Sequence, residues 1–174
     1  TIAQTCHQGF LALDSVGVNN SNSVVAEDSI NFTDKRLSLP IVGRTDLHFK
    51  IQSKKTPLVF NSSEQSDEAS SSKDAPFLSD QLVILELKTA WQKPGKQKKS
   101  GDRSFSSARL PSQPNINHLQ QLAFYCFALE KRSSVSPYLI YLTADDFIIY
   151  TEKNCTDLEP KNLKNYYEQL VSNC

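Results

Sequence analysis

Glu86 and Lys88 stand two apart inside Leu82-Val83-Ile84-Leu85-Glu86-Leu87-Lys88-Thr89, a run of β-forming residues. A strand repeats its faces every two residues, so this carboxylate and ammonium share one face. Charges in a continuously apolar strand are costly unless they are paired or bind a metal. A second acid, Asp46, belongs to an earlier β-like run from Pro40 to Phe49. Two carboxylates and a lysine converging on a sheet suggest a divalent-metal site for phosphodiester cleavage. Mg2+ or Mn2+ takes hard oxygen ligands, which Asp46 and Glu86 could supply, with the carbonyl of Leu87 as a third. The metal would lower the pKa of a bound water and offset phosphate charge. Lys88 would orient the water or stabilise developing charge. The competing reading is a cross-strand salt bridge at a sheet edge.

A helix is expected from about His118 to Lys131, with Asn117 as its N-cap. On it Gln121 and Tyr125 are four apart and share a face. Leu119, Leu122, Cys126 and Leu129 form a neighbouring apolar face. The Gln/Tyr stripe can place hydrogen-bonding groups over the active edge of the sheet, or it is ordinary amphipathic surface. His118, at the helix start, is either a phosphate contact or an exposed turn residue.

Between these elements, Trp91 to Arg109 holds Lys93, Lys96, Lys98, Lys99, Arg103 and Arg109 against the single acid Asp102. Such a run is a solvated loop or a loop that contacts phosphates. Trp91 could stack a base, but packing into the core is the expectation for it.

The elements that must position these residues follow from periodicity and breakers. Residues 2–16 are expected to form an amphipathic helix, on which Ile2, Cys6, Phe10, Leu13 and Val16 recur at helical spacing. Asn19 to Ser23 is a turn, Val24 to Thr33 a strand, and Leu37 to Ile51 one or two strands carrying Asp46. Residues 61–80 are serine-rich and polar, an insertion expected to be disordered at a hairpin tip. Leu82 to Ala90 is the buried strand, followed by a second, basic insertion over 92–116. Tyr138 to Thr143 and Phe147 to Thr151 form a hairpin turning at Ala144-Asp145-Asp146. A last helix begins near Glu159-Pro160 and carries Leu163, Tyr166, Tyr167 and Leu170. This order predicts an α/β fold, a mixed sheet with helices packed on it.

The 174 residues fit one domain, and a hydrophobic content of 39% is enough for a core. Formal net charge is zero, so the total charge does not point to nucleic acid; its local distribution does. Cys6, Cys126, Cys155 and Cys174 are scattered without a CxxC pair, which argues against zinc or iron–sulfur and for free thiols in a reducing, intracellular compartment. Asn-x-Ser/Thr triplets at Asn19, Asn31, Asn61 and Asn154 are attributed to the Asn- and Ser-rich composition. No stretch reaches transmembrane length, so no membrane partner is expected. The chain holds no Met and is read as a domain trimmed at its N-terminus.

Taken in order, Gly43-x-x-Asp46, Glu86-x-Lys88 and Gln121-x-x-x-Tyr125 resemble the motifs of the PD-(D/E)XK nuclease superfamily, in its RecB-like exonuclease branch. The resemblance covers about Val24 to Thr151. It is closest to the mitochondrial genome-maintenance exonuclease group and its phage relatives, to which Leu13-Asp14-Ser15-Val16-Gly17-Val18, the Glu27 strand and the Tyr166-Tyr167 helix are similar in placement. The resemblance implies a restriction-endonuclease-like fold and a monomeric, Mg2+- or Mn2+-dependent exonuclease in DNA maintenance or repair. Its substrate would be single-stranded DNA ends, with no cofactor beyond the metal and a mitochondrial location. Asp46 and Glu86 would be metal ligands, Lys88 the catalytic lysine, and Gln121 and Tyr125 strand-positioning groups. The family's N-terminal acidic or histidine motif has His7 as a candidate here, or lies upstream of residue 1. Glu27 would be structural. The rival reading is a catalytically silent nucleic-acid-binding or assembly module of the same fold. A further rival is an interaction domain whose acids are ordinary ion pairs.

Overall fold

The computed structural model describes residues 2–21, 23–53, 79–91, 93–97, 99–101, 103–106, 108–130 and 135–174, and among these it has nine strands and three α-helices. The helices are α1 (Ile2–Ser15), α2 (Ile116–Glu130) and α3 (Pro160–Ser172). The strands are β1 (Val24–Ala26), β2 (Ser29–Phe32), β3 (Ile41–Arg44), β4 (Leu47–Ser53), β5 (Ser79–Thr89), β6 (Lys93–Gln97), β7 (Arg103–Ser106), β8 (Val135–Leu142) and β9 (Phe147–Thr151).

The fold is α/β. One mixed sheet has the order β1-β4-β5-β8-β9. Its β5–β8 pair is parallel and the other pairs are antiparallel. A parallel pair needs a crossover, and α2 lies within it. β2–β3 and β6–β7 form separate two-stranded ribbons.

The buried strand β5 feeds two cores because its side chains alternate. Val83 and Leu85 pack with Ala12 of α1 and with Phe49, Ile140 and Leu142. Ile84 lies on the other face in a cluster with Leu119 and Leu122 of α2, Leu163 and Tyr167 of α3, and Leu139 of β8. The side chain of Glu86 has the parity of Ile84, so it faces α2.

Several elements differ from expectation. Helix α1 turns its small residues inward: Thr5, Gly9 and Ala12 are buried, while Ile2 and Phe10 are 71% and 72% exposed. Small side chains let the helix lie close to the sheet; Leu13 and Val16 still pack against that core, half-buried, while Ile2, Cys6 and Phe10 are left outside. Val24 to Thr33 is two strands, because Glu27 adopts a left-handed φ of 53° between them. Few non-glycine residues do this, and here it turns the chain from the main sheet into the β2–β3 ribbon.

The expected insertion at 61–80 lies outside the described residues up to position 78, and its last two residues already belong to β5. That strand begins early because it stays paired with β4 as far as Ser53 opposite Ser79. The basic insertion is not only loop. It carries the β6–β7 ribbon, whose register shifts between Pro94 and Gln97. Trp91 is 56% exposed rather than packed in the core. Helix α2 starts earlier than expected, and its cap is Asn115, not Asn117. The Asn115 side-chain oxygen accepts the Asn117 N–H at 2.9 Å, which satisfies one of the helix's unpaired amides. β9 and the Pro160 helix start match their expected positions, whereas β8 begins at Val135, three residues before the expected Tyr138, and ends at Leu142.

Candidate active site

The site forms where β5 outruns β4. Pairing of these strands begins at Leu47 opposite Leu85, so Glu86 to Thr89 extend past the start of β4. Asp46 is not on a strand. It occupies the bend between β3 and β4, and its Oδ2 accepts the Leu87 N–H at 2.7 Å. A strand residue directs its N–H and C=O to the same edge. The Leu87 carbonyl therefore faces the edge that Asp46 occupies. The position of Asp46 is held from behind, since the Glu27 N–H donates to the Asp46 carbonyl at 3.1 Å and the Thr45 N–H to the Asp28 carbonyl at 3.0 Å.

Glu86 is fully buried. Its Oε1 accepts a hydrogen bond from Lys88 Nζ at 2.5 Å, whereas its buried Oε2 has no partner. Burial is the main cause that pushes its carboxyl up to about 7, and the Asp46 charge adds to it, against the opposing contacts of Lys88 and, more weakly, of the Asp46 main-chain N–H. The Glu86–Lys88 pair runs along one strand, so the cross-strand form of the salt bridge is not what forms.

Helix α2 supplies the next groups in a row. Lys88 Nζ donates to Gln121 Oε1 at 3.0 Å, and Gln121 Nε2 donates to Tyr125 Oη at 2.8 Å. Tyr125 Oη donates to the Arg44 carbonyl at 2.6 Å, two residues before Asp46. The buried Tyr125 hydroxyl has its pKa raised, mainly by desolvation, and stays a donor. One chain of polar contacts thus runs from Glu86 through the helix to the β3–β4 bend.

Gly43 makes that approach possible. A Cβ there would stand 2.7 Å from both the Phe124 and Tyr125 rings, which no real side chain tolerates without displacement.

His118 also sits at this site. Its Nδ1 lies 2.9 Å from Tyr141 Oη, and the Asn115 N–H donates to the same oxygen at 2.9 Å. Tyr141 is the register partner of Lys88 on β8. Desolvation first, and the Lys88 charge second, lower the His118 pKa. Tyr141 was not legible as a site residue, since nothing local marks it; only the β5–β8 register brings it beside Lys88.

Other expected residues lie apart or are only partly described. His7 is on α1, which packs on the sheet face opposite Glu86, and it lines hollows with Gln4, Asp145 and Phe10. In the basic run Lys99 is exposed in a turn, Lys93 and Lys96 are described as β6 backbone, and Lys98 lies outside the described residues. Glu27 pairs its exposed carboxylate with Arg44 at 3.3 Å.

Among the described residues no group of three or more His, Cys, Asp and Glu side chains is arranged to hold a metal. The available donors are two carboxylates and the Leu87 carbonyl, a hard-oxygen set that suits Mg2+ or Mn2+ when water and phosphate complete it. The unpartnered Oε2 of Glu86 is the atom that a cation would satisfy.

No family model matches the chain, and no curated protein gives a significant match. Among solved structures, the crystal structure of SSO0001 is similar at 17% identity and a TM-score of 0.41, over 94% of this chain and 57% of that one. The chain thus spans little more than half of that protein, and a similarity this weak carries no argument about function. No helix among the described residues is long and apolar enough to cross a membrane.

Proposed function

We propose that this domain is a Mg2+- or Mn2+-dependent deoxyribonuclease, an exonuclease acting on single-stranded DNA ends in DNA maintenance or repair. The observation that carries the reading is the fully buried Glu86, whose Oε2 lacks a partner, beside Lys88 and the anchored Asp46. A buried carboxylate without full compensation is costly; a divalent cation at that edge would remove the penalty. The order of the three motifs supports the same reading.

Asp46, Glu86 and the Leu87 carbonyl would hold the metal, which when bound supplies Lewis acidity toward water and phosphate. The Leu87 N–H fixes the Asp46 carboxylate. Lys88, between Glu86 and Gln121, holds an ammonium at the edge where phosphate charge would develop. Gln121 and Tyr125 keep that ammonium and the β3–β4 bend in a set relation. A mitochondrial location follows only from the family resemblance, and imaging of a tagged full-length protein tests it.

One observation favours a second reading, a catalytically silent nucleic-acid-binding or assembly module. Lys88 already neutralises one oxygen of Glu86, as a structural ion pair would. Digestion of end-labelled linear and circular single-stranded DNA, with and without Mg2+ or Mn2+, separates the two. The nuclease reading expects metal-dependent loss of the linear substrate, abolished in Glu86→Gln. Binding without cleavage in any metal would leave only the module.

A further inference from the structure

We propose that His118 is a substrate-contacting residue that offers a neutral Nε2–H to a phosphodiester oxygen, and that Tyr141 is the positioning residue that sets this tautomer. The proposal rests on the nucleic-acid reading of the site, and it begins from the bonding of one hydroxyl. Tyr141 is buried, 5% exposed. Its oxygen accepts the Asn115 N–H, so one lone pair is occupied. The hydroxyl has a single hydrogen, and His118 Nδ1 is 2.9 Å away. If that hydrogen goes to Nδ1, every group is satisfied, and the ring must carry its own hydrogen on Nε2. In the reverse arrangement Nδ1–H donates to the oxygen. The buried hydroxyl hydrogen then has no acceptor among the described residues, at the cost of an unmade hydrogen bond.

The location gives this tautomer a use. Lys88 and Tyr141 are register partners on β5 and β8, and both side chains face α2. His118 and Gln121 are three apart on that helix, so they share a face. The Gln121 side-chain carbonyl takes the Lys88 ammonium, while the His118 ring stands beside that of Tyr141, tilted by 42° with centroids 5.6 Å apart. His118 is half-buried, and its pKa is lowered by burial and by Lys88. The ring is thus a neutral donor beside a cation, a pair suited to two oxygens of one phosphodiester. The Asn115 contact is made by the main chain and belongs to the helix start itself, so α2 delivers His118 to the sheet in a set orientation.

Two measurements on the intact protein test this. Ring 15N shifts at pH 7.5 report the tautomer directly, with His7 and His48 as internal references. The expected result is Nε2–H for His118 in the wild type and a mixture of tautomers in Tyr141→Phe, which keeps the ring and its packing. An Nδ1–H ring in the wild type would overturn the proposal. Anisotropy of a labelled single-stranded deoxyoligonucleotide in EDTA then reads the contact. His118→Ala should bind roughly three- to tenfold more weakly, with partial recovery in His118→Gln, whose amide restores a donor. Unchanged binding in His118→Ala, or no binding by the wild type, would overturn the proposal even if cleavage proved metal-dependent. Conversely, weaker binding in His118→Ala by a protein that never cleaves would support the phosphate contact while removing the nuclease reading.

Discussion

The Asp46 carboxylate accepts the Leu87 main-chain N–H at 2.7 Å, which ties the β3–β4 bend to the strand carrying Glu86 and Lys88. The bond places the second acid of the site without using any side chain of β5. Asp46→Asn still offers an oxygen to Leu87 but loses the charge. It should therefore fold nearly as well as the wild type while metal-dependent cleavage falls by at least a hundredfold, about 3 kcal/mol in the barrier. Thermal unfolding and turnover, measured together, check this; full turnover by the variant contradicts the metal-ligand role.

Glu86 gives a pH signature. Its carboxyl ordinarily titrates near 4.5 and is held up to about 7 in the fold. Between these values the folded chain binds more protons than the unfolded one, so stability of the metal-free protein falls as pH rises from 4.5 to 7. The effect is up to about 3 kcal/mol, less what the Lys88 contact offsets. Glu86→Gln should flatten that slope, and Mn2+ should stabilise the wild type far more at pH 8 than at pH 5. Denaturation across pH, with and without Mn2+, tests both; identical slopes in the two proteins would exclude the buried acid as their source.

Gly43 has a predicted cost of substitution. Gly43→Ala would drive a methyl into the Tyr125 and Phe124 rings, and overpacking of this kind costs roughly 1–3 kcal/mol. It should also weaken the Tyr125–Arg44 bond and shift Asp46. Tyr125→Phe removes that same bond without adding bulk, and should cost about 1–2 kcal/mol by leaving the Arg44 carbonyl unpaired. Urea denaturation of the two single variants and of the double variant reads the coupling; simple additivity would mean the two sites do not share a mechanism.

Far from the site, Asp34 holds the β2–β3 connection to α3. It accepts bonds from Arg36 and from the Tyr167 hydroxyl at 2.8 Å, and Arg36 also pairs with Glu168. The Arg36 contacts hold its carboxyl well below the ordinary 3.8. A depressed carboxylate contributes stability above its unfolded pKa and loses it as pH falls below. Asp34→Asn should lower the melting temperature at pH 7, and the gap should narrow steadily below about pH 3.8. Melting curves from pH 7 to pH 2.5 test this, and a constant gap would refute it.

The cations beyond Trp91 predict a salt effect. Neutralising Lys93, Lys96, Lys98 and Lys99 together should weaken single-stranded DNA binding and flatten its dependence on salt, by roughly 0.7 in log–log slope for each phosphate that is no longer neutralised. Turnover of bound DNA should change much less. An unchanged slope in the quadruple variant would mean that these lysines touch no phosphate.

What the sequence determined by itself is local. A period of two placed Glu86 and Lys88 on one face, and a spacing of four placed Gln121 and Tyr125 together, because strand and helix geometry fix such relations within an element. The β8–β9 turn and the Pro160 helix start were legible for the same reason. Tertiary structure decided how the elements meet. Periodicity marked a bulky stripe on α1, of which Leu13 and Val16 do reach the core, yet close packing on the sheet buried Thr5, Gly9 and Ala12 and left Ile2 and Phe10 exposed. Only the length of β4 moved Asp46 off a strand and onto Leu87, and only the parallel register of β5 with β8 set Tyr141 beside Lys88 and His118. Those contacts join residues tens of positions apart, through pairings that no single segment's pattern encodes.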